Sequence, residues 1–154
     1  MTTAPTLTGQ DIAEAEGAVT ALLEATLVAS GFTITANEYA VLRAVAVRGP
    51  YPTPAELHEY LAGQRQLGID AAGAATLLAG MRDKGFLSGS GLDEAGPVQL
   101  TPEGRAELGR LMQTVGPLTR PIFGGSDPEE LATAHRVLSS VIERANKLRM
   151  GQEL

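Results

Sequence analysis

Residues 70–105, DAAGAATLLAGMRDKGFLSGSGLDEAGPVQLTPEGR, decide the fold of this chain. The first part has a helical pattern of apolar residues that stops at Gly85. Two short strand-like segments, residues 86–87 and 98–100, flank a stretch rich in Gly and Ser and predict a hairpin. Thr101-Pro102 then starts another helix. The order helix, hairpin, helix predicts a winged helix, a mainly α fold with one small β-hairpin wing.

The charge of this stretch does not suit a DNA-binding surface. The whole chain carries a net charge of −6, and residues 53–101 hold three basic against six acidic side chains. Residues 102–154 balance seven basic with seven acidic side chains, so no stretch is strongly basic. Binding to phosphates depends on basic groups. The sequence therefore predicts DNA binding that is weak or depends on few contacts.

Composition favours one domain, or two lobes that share a core, in a cytoplasmic protein. The chain has 154 residues, 44% of them hydrophobic, and no cysteine, which excludes disulfides and thiolate metal sites. No apolar run approaches the roughly 20 residues of a membrane span. Residues 1–5 lack the basic and apolar regions of a secretory signal. We expect no metal, no cofactor and no membrane partner.

Local signals mark six helices. Thr35–Glu38 and Thr53–Glu56 have the pattern of capping boxes, and Asp127–Glu130 has the same logic with proline at the first helical position. The predicted helices cover about residues 9–30, 35–47, 54–63, 70–84, 102 onward and 128–149. Gly116-Pro117 and Pro121 are predicted to kink or break the fifth helix.

The last helix carries an apolar seam of the kind that coiled coils use. Its apolar residues follow spacings of 3, 4, 3, 4 and 3 and are Leu131, Ala134, Leu138, Val141, Ala145 and Leu148. Val137 and Ile142 widen this stripe. The seam packs either on its own domain or on a second subunit. The sequence favours the second subunit. The predicted dimer interface comprises Ile12, Val19, Leu131, Leu138, Val141, Ile142 and Leu148.

The order of elements resembles the MarR (multiple antibiotic resistance regulator) family of bacterial transcription factors over about residues 9–149. The matching segments are Leu42, residues 55–57, 69–70, 81–87, 100–105 and 126–131. The resemblance implies a homodimer in which residues 9–34 and 102–150 form a helical dimerisation region and residues 35–101 form a winged helix-turn-helix lobe. Residues 1–8 and 151–154 would be flexible tails.

The family's recognition helix enters the DNA major groove and its wing flanks the minor groove. Many members release DNA when a small, often aromatic, acid binds. This chain departs from the pattern where Thr76 stands at the usual arginine position of the fourth helix and Gly80 at a later polar position. The wing arginine is Ala95 or absent, and the connection at residues 62–68 is longer than usual.

The resemblance and the available donors predict a set of DNA contacts. They are Thr53, Gln64, Arg65, Gln66, Ala72, Ala75, Thr76, Ser88 and Ser90. Arg65 either contacts phosphate or is solvated, and Thr76 either contacts DNA or packs within its lobe. For a small effector, the predicted contacts are Phe32, Tyr39, Arg43 and Tyr60, with Arg43 as the carboxylate partner. These aromatic residues are otherwise ordinary core.

Enzymatic activity is not expected. The two histidines are His58, beside Glu56 and Glu59, and His135 near the apolar seam. Adjacent residues of a helix do not share one face, so an exposed charged helix is favoured over a metal or base site around His58. We predict a homodimeric DNA-binding regulator that responds to a ligand. The alternative is a winged-helix dimer that no longer binds DNA well and serves as a protein-interaction or ligand-sensing module.

Overall fold

The computed structural model describes residues 3–89 and 97–151. Within these residues the chain forms six α-helices, one short 3-10 helix and one antiparallel pair of strands. The elements in chain order are α1 Gly9–Ala29, α2 Ala36–Arg48, α3 Pro54–Gly63, the 3-10 helix η1 Arg65–Leu67, α4 Ala71–Asp83, β1 Leu87–Ser88, β2 Gln99–Leu100, α5 Pro102–Phe123 and α6 Pro128–Gly151. The predicted fold class, mainly α with a small hairpin, is confirmed.

Capping side chains decide where the helices begin. Thr35 and Glu38 form the predicted capping box, in which each side chain accepts from the other residue's backbone N–H at 3.1 Å. The hydroxyl of Thr53 accepts from the N–H of Glu56 at 3.3 Å at the start of α3, but no return bond from the Glu56 side chain is found among the described residues, so the capping box predicted there is only half formed. Thr8 and Asp11 form a further capping box before α1. Hydrogen bonds from Thr8 hold the pKa of Asp11 below its ordinary value.

The prolines of α5 do not end that helix. Of the kink or break predicted at Gly116-Pro117 and Pro121, the break is wrong, because α5 continues through both prolines to Phe123. Each proline removes one backbone N–H and leaves one carbonyl without its helical partner. This part of the helix is exposed, so water can satisfy those carbonyls. Water thus offsets part of the cost of each proline, and the helix continues through both.

The contacts divide the chain into two compact units, Met1–Val115 and Gly116–Leu154. In the first unit, α2, α3 and α4 each bury one apolar face, and the hairpin and α5 complete one core. The core residues are Leu27, Ile34, Tyr39, Val41, Leu42, Val45, Leu57, Leu61, Ala74, Leu78, Met81, Leu87, Val98, Leu100, Leu108 and Leu111.

The hairpin closes the core of the first unit. Leu87 pairs with Leu100 and Ser88 with Gln99 in antiparallel register. Val98 forms a further bridge to Tyr51, with hydrogen bonds of 3.0 and 2.7 Å between the two backbones. The hairpin is therefore held to the segment before α3 as well as to itself. Among the described residues, no helix is long and apolar enough to span a membrane.

Candidate nucleic-acid interface

Helices α3 and α4, joined by η1, form a helix-turn-helix. The two helices pack against each other and bury Leu57 and Leu61 on α3 and Leu78 on α4. The turn ends at Gly68, whose φ of 66° lies in the left-handed region that glycine adopts without a steric penalty. The short sequence between Gln64 and Asp70 thus reverses the chain and presents the other side of α4 to solvent.

An ion pair fixes the far end of α4. Lys84 Nζ lies 2.7 Å from a carboxylate oxygen of Glu38, whose side chain is only 9% exposed. The same ammonium donates to the carbonyl of Thr33 at 3.4 Å. These contacts tie the residue that follows α4 to the beginning of α2. They also mean that Lys84 is neutralised within the lobe and is not free to hold a phosphate.

The solvent side of α4, here called the α4 outer face, consists of Ala71, Ala72, Ala75, Thr76 and Gly80. All five residues are exposed. The only hydroxyl among them, that of Thr76, donates to the carbonyl of Ala72 at 3.1 Å. Direct recognition of DNA bases uses side-chain donors and acceptors at this position of a winged helix. The α4 outer face can offer methyl groups and the acceptor lone pairs of one hydroxyl.

The N-terminus of α4 is capped by a carboxylate. Asp70 accepts from the N–H of Gly73 at 2.7 Å. A free helix N-terminus attracts phosphate through its unpaired N–H groups and the helix dipole. At α4 the carboxylate uses one of these N–H groups and brings its own negative charge. This end of α4 is therefore less suited to phosphate than a helix capped by Ser or Thr.

The remaining predicted DNA contacts are partly engaged elsewhere. Gln66 donates to Gln64 at 3.0 Å, and the hydroxyl of Ser88 lies 3.5 Å from the carbonyl oxygen of Gln99. Arg65 is exposed, and no carboxylate in residues 3–89 or 97–151 lies within salt-bridge distance of it. Ser90 and Ala95 lie outside the described residues. Of the three basic side chains in residues 53–101, Arg82 pairs with Asp83 at 3.5 Å and Lys84 pairs with Glu38. Arg65 alone among them has no acidic partner within the described residues.

The structure separates the four predicted effector contacts. Arg43 and Tyr60 line one cleft between α2, α3 and η1. Tyr39 belongs to the core, and the Arg43 guanidinium lies over its ring at 5.4 Å from the centroid. Phe32 lies instead beneath Arg110 of α5, at 5.2 Å. The effector contacts predicted from sequence therefore do not form one site.

Arg48 and Tyr51 were not predicted as site residues from the sequence, although both lie beside Tyr60. Arg48 lies 5.0 Å above the ring of Tyr60, and Tyr60 in turn packs 6.0 Å from the ring of Tyr51. Burial raises the pKa of Tyr51 above its ordinary value, Tyr60 adds to the rise, and Arg48 opposes it. The Tyr51 hydroxyl is buried and has no hydrogen-bond partner among the described residues.

His58 is not the solvated side chain that the sequence favoured. His58 as a whole is half-buried, and its Nε2 atom is buried without a hydrogen-bond partner among the described residues. The lobe core lies close to the helix at this position, since Leu57 and Leu61 are both buried. Within residues 3–89 and 97–151, no three His, Asp or Glu side chains meet as a metal site.

None of the predicted dimer contacts is buried within its own unit: Ile12 and Leu131 are half-buried and the others are exposed. In α1, which has Leu27 as its one buried residue, Val19 is exposed and Ile12 is half-buried. Helix α6 has no buried residue as far as Gly151. Its exposed apolar residues are Val137, Leu138, Val141, Ile142, Leu148 and Met150. An apolar stripe of this length exposed to water is unusual for a stable monomer.

The fold is similar to those of several solved structures. The apo form of wild-type MarR from E. coli is 25% identical, covers 89% of this chain and 98% of that one, and has a TM-score of 0.64. A mutant of E. coli MarR complexed with operator DNA is 26% identical over 86% of this chain and 91% of that one, with a TM-score of 0.65. The Mycobacterium tuberculosis MarR family protein Rv2887, in complex with salicylic acid, is 21% identical over 88% and 99%, with a TM-score of 0.60.

No protein-family model matches the chain, and no curated protein sequence matches it. The likeness is therefore carried by the three-dimensional fold, over 86–89% of the chain. The resemblance found in the sequence is confirmed at this level. The chain is a MarR-like winged-helix protein.

Proposed function

We propose that the chain is a homodimeric transcription regulator that binds double-stranded DNA through its lobe, residues 35–101. The observation that carries this proposal is the helix-turn-helix of α3, η1 and α4 followed by the hairpin. That arrangement is similar to the one in E. coli MarR, which has been solved with operator DNA. In the proposed complex α4 approaches the major groove, and residues 9–34 and 102–150 form the dimerisation region.

The exposed apolar stripe of α6 supports the dimer. Its apolar residues keep the coiled-coil spacing, and none of them is buried within the described part of their own unit. A dimer presents two lobes to two half-sites, so the affinity for a palindromic site exceeds that of one lobe. This gain matters here because one lobe offers few phosphate contacts.

We expect DNA binding to be weaker than is usual for a specific repressor. Arg65 is the one described cation of residues 53–101 without an acidic partner, and the α4 outer face has no charge. In fluorescence anisotropy with DNA from upstream of its own gene, the dissociation constant should exceed about 10⁻⁷ M at ~0.15 M salt. The slope of log affinity against log salt should be shallow, about −2 to −4. A slope near −10 would show that many more phosphates are held than this surface provides.

Absence of sequence-preferring DNA binding would favour the second candidate function, a protein-interaction or ligand-sensing module. The specific observation that favours it is the α4 outer face, whose small side chains allow close packing of another backbone. The comparison DNA is a scrambled duplex of the same length. Equal affinity for the two duplexes, together with a stable dimer, would support the module in place of the regulator.

Removing the charge of Asp70 is expected to increase DNA affinity. Asp70→Ser keeps a hydroxyl acceptor for the Gly73 N–H and removes one negative charge from the end of α4 that faces the groove. We expect a gain of about three- to tenfold at ~0.1 M salt, which shrinks as salt screens the charge. Anisotropy titrations at several salt concentrations measure it.

Asp127→Ser is the matched control. Asp127 also accepts a backbone N–H, that of Glu129 at 2.7 Å, but it precedes α6 and lies outside the lobe. The same substitution there should leave DNA affinity within about twofold. Equal gains in both variants would mean that only net charge matters. No gain at Asp70 would mean that this end of α4 does not approach phosphate.

A small acidic effector completes the proposed function. Rv2887 has been solved with salicylic acid and with p-aminosalicylic acid. By analogy we propose that a small acid, aromatic or otherwise, lowers the DNA affinity of this protein. The arginines of the first unit are the groups that can pair with its carboxylate.

A further inference from the structure

Two arginines of α2 line a cleft that has no acidic side chain. The cleft lies between α2, α3 and η1 and has a volume of about 270 Å³. It is lined by Ala40, Arg43, Ala44, Val47, Arg48, Tyr60, Leu61, Gln64, Gln66 and Leu67. We call it the α2–α3 cleft. Its volume is just below the usual range for ligand pockets, roughly 300–1,000 Å³, and suits a small molecule.

The walls of the cleft are held in place. Asn37 of α2 donates from its side chain to the carbonyl of Leu67 at 3.1 Å, which ties η1 to α2. Leu61 is buried beneath the cleft, and Ala40 and Ala44 are half-buried beside it. The floor is thus small and apolar, while the rim carries the guanidinium groups and two amides. A ligand that fits has an apolar middle and charged ends.

Both guanidinium groups are positioned by tyrosine rings. Arg43 lies over Tyr39 at 5.4 Å and Arg48 over Tyr60 at 5.0 Å. Stacking uses the flat face of a guanidinium and leaves the N–H donors in its plane available for a carboxylate. No carboxylate in residues 3–89 or 97–151 lies within salt-bridge distance of either arginine. In a chain of net charge −6, the cleft retains two cations without acidic partners.

We propose that the α2–α3 cleft binds a small organic dianion, a dicarboxylate with a short apolar chain. One carboxylate pairs with Arg43 and the other with Arg48. The two residues are five positions apart on α2, about 7.5 Å along the helix axis and about 140° around it. Both line the same cleft, whose volume of about 270 Å³ accommodates a chain of about four to six carbons. The methylene groups then lie on Ala40, Ala44 and Leu67, and the amides of Gln64 and Gln66 provide further donors.

A regulatory consequence rests on the proposed function. The dianion contacts Gln64, Gln66 and Leu67, and four residues after Leu67 the chain enters α4 at Ala71. A ligand that pulls η1 toward the arginines shifts the start of α4, the end that the proposed regulator brings to DNA. The cleft thereby couples occupancy to DNA affinity without lying on the DNA-facing surface of α4.

The test is calorimetric titration of the full chain with three dicarboxylates, namely succinate, glutarate and adipate. Two control ligands are titrated in the same way: butyrate, which has a carbon chain but one carboxylate, and inorganic phosphate, which is an anion without a carbon chain. Ionic strength is matched throughout. We expect at least one dicarboxylate to bind about tenfold or more tightly than butyrate and phosphate, since each carboxylate–guanidinium pair adds charge-assisted hydrogen bonds. Amide chemical shifts should change in residues 40–48 and 64–67.

Arg43→Gln and Arg48→Gln should each reduce dicarboxylate affinity to that of butyrate. Arg110→Gln is the matched control, because Arg110 also stacks on an aromatic ring, that of Phe32, but pairs with Glu107 at 2.9 Å and lies outside the cleft. It should bind dicarboxylates as the wild type does. Thermal unfolding of all three variants checks that the fold is retained.

Several results would overturn the proposal. They are equal affinity for butyrate and the dicarboxylates, tighter binding of phosphate alone, shifts that map outside the cleft, or equal losses in all three variants. The proposed function fails separately, in the anisotropy experiment. If dicarboxylates bind and DNA does not, the proposed ligand site is retained and the proposed function is rejected. If DNA binds and dicarboxylates do not, the proposed function is retained and the ligand site is rejected.

Discussion

Replacing Gly104 by alanine is expected to destabilise the first unit by about 3 kcal/mol. A Cβ atom at Gly104 would meet the backbone of Phe86, with its carbonyl oxygen as the nearest atom. The obstacle is main chain, so no side-chain rotation relieves it. The same Phe86 carbonyl accepts from the N–H of Thr101 at 3.1 Å, and Gly104 itself donates to the Thr101 hydroxyl at 3.0 Å. Moving either segment weakens the junction between α4, the hairpin and α5.

Gly109→Ala is the control for this substitution. Gly109 lies in the same helix and is exposed, and apart from its own helix backbone and immediate neighbours no atom lies within 4 Å of the position that a Cβ would take. Alanine there should stabilise the protein by roughly 0.5–1 kcal/mol through helix propensity. Urea unfolding followed by circular dichroism, at one protein concentration, measures both variants. A Gly104→Ala variant as stable as the wild type would mean that Phe86 is not held against α5.

Two charges on the α6 seam are expected to convert the proposed dimer to monomers. In Leu138→Glu combined with Val141→Glu, each carboxylate would have to enter an apolar interface without a partner, which costs several kcal/mol per charge. The dissociation constant should rise by at least about a thousandfold. Sedimentation equilibrium should then report the 16.0 kDa mass of one chain in place of twice that mass. Both residues are exposed in their own unit, so the substitutions do not disturb a core within it.

Ser139→Glu combined with Asn146→Glu adds the same charge to α6 beside the seam. Both positions are exposed, and neither belongs to the apolar spacing. This variant should remain a dimer. A wild-type chain that sediments as a monomer at every concentration would contradict the proposed homodimer. A dimer that survives the two seam charges would place the interface elsewhere.

Much of the fold follows from signals that act over three or four residues. The capping residues Thr35 and Thr53 and the stop at Gly85 determine helix ends locally, so the predicted helices of the lobe agree with the structure to within about two residues. The break predicted at Pro117 or Pro121 failed for the opposite reason. Whether a proline ends a helix depends on what else satisfies the freed carbonyls, and exposure to water is a property of the folded chain.

The candidate sites were less predictable than the elements. Arg43 and Tyr60 were identified from residue type, but the stacking of Arg48 on Tyr60 joins α2 to α3 and has no local signature. The burial of His58 Nε2 likewise depends on neighbours that the helix pattern does not reveal. Asp70 was placed correctly at the start of α4, yet its effect on phosphate binding becomes evident only when its carboxylate is seen on the Gly73 N–H.

The α4 outer face has a consequence for how this lobe can change. Ala72, Ala75 and Thr76 are exposed, whereas the core face of α4 is carried by Ala74, Leu78 and Met81. New side chains on the outer face therefore cost little stability, because they displace nothing that is packed. A single substitution to arginine, asparagine or glutamine at one of these positions would introduce one side chain that can hydrogen-bond to a base edge. Single substitutions on the α4 outer face could therefore be selected in the laboratory for variants that prefer particular DNA sequences.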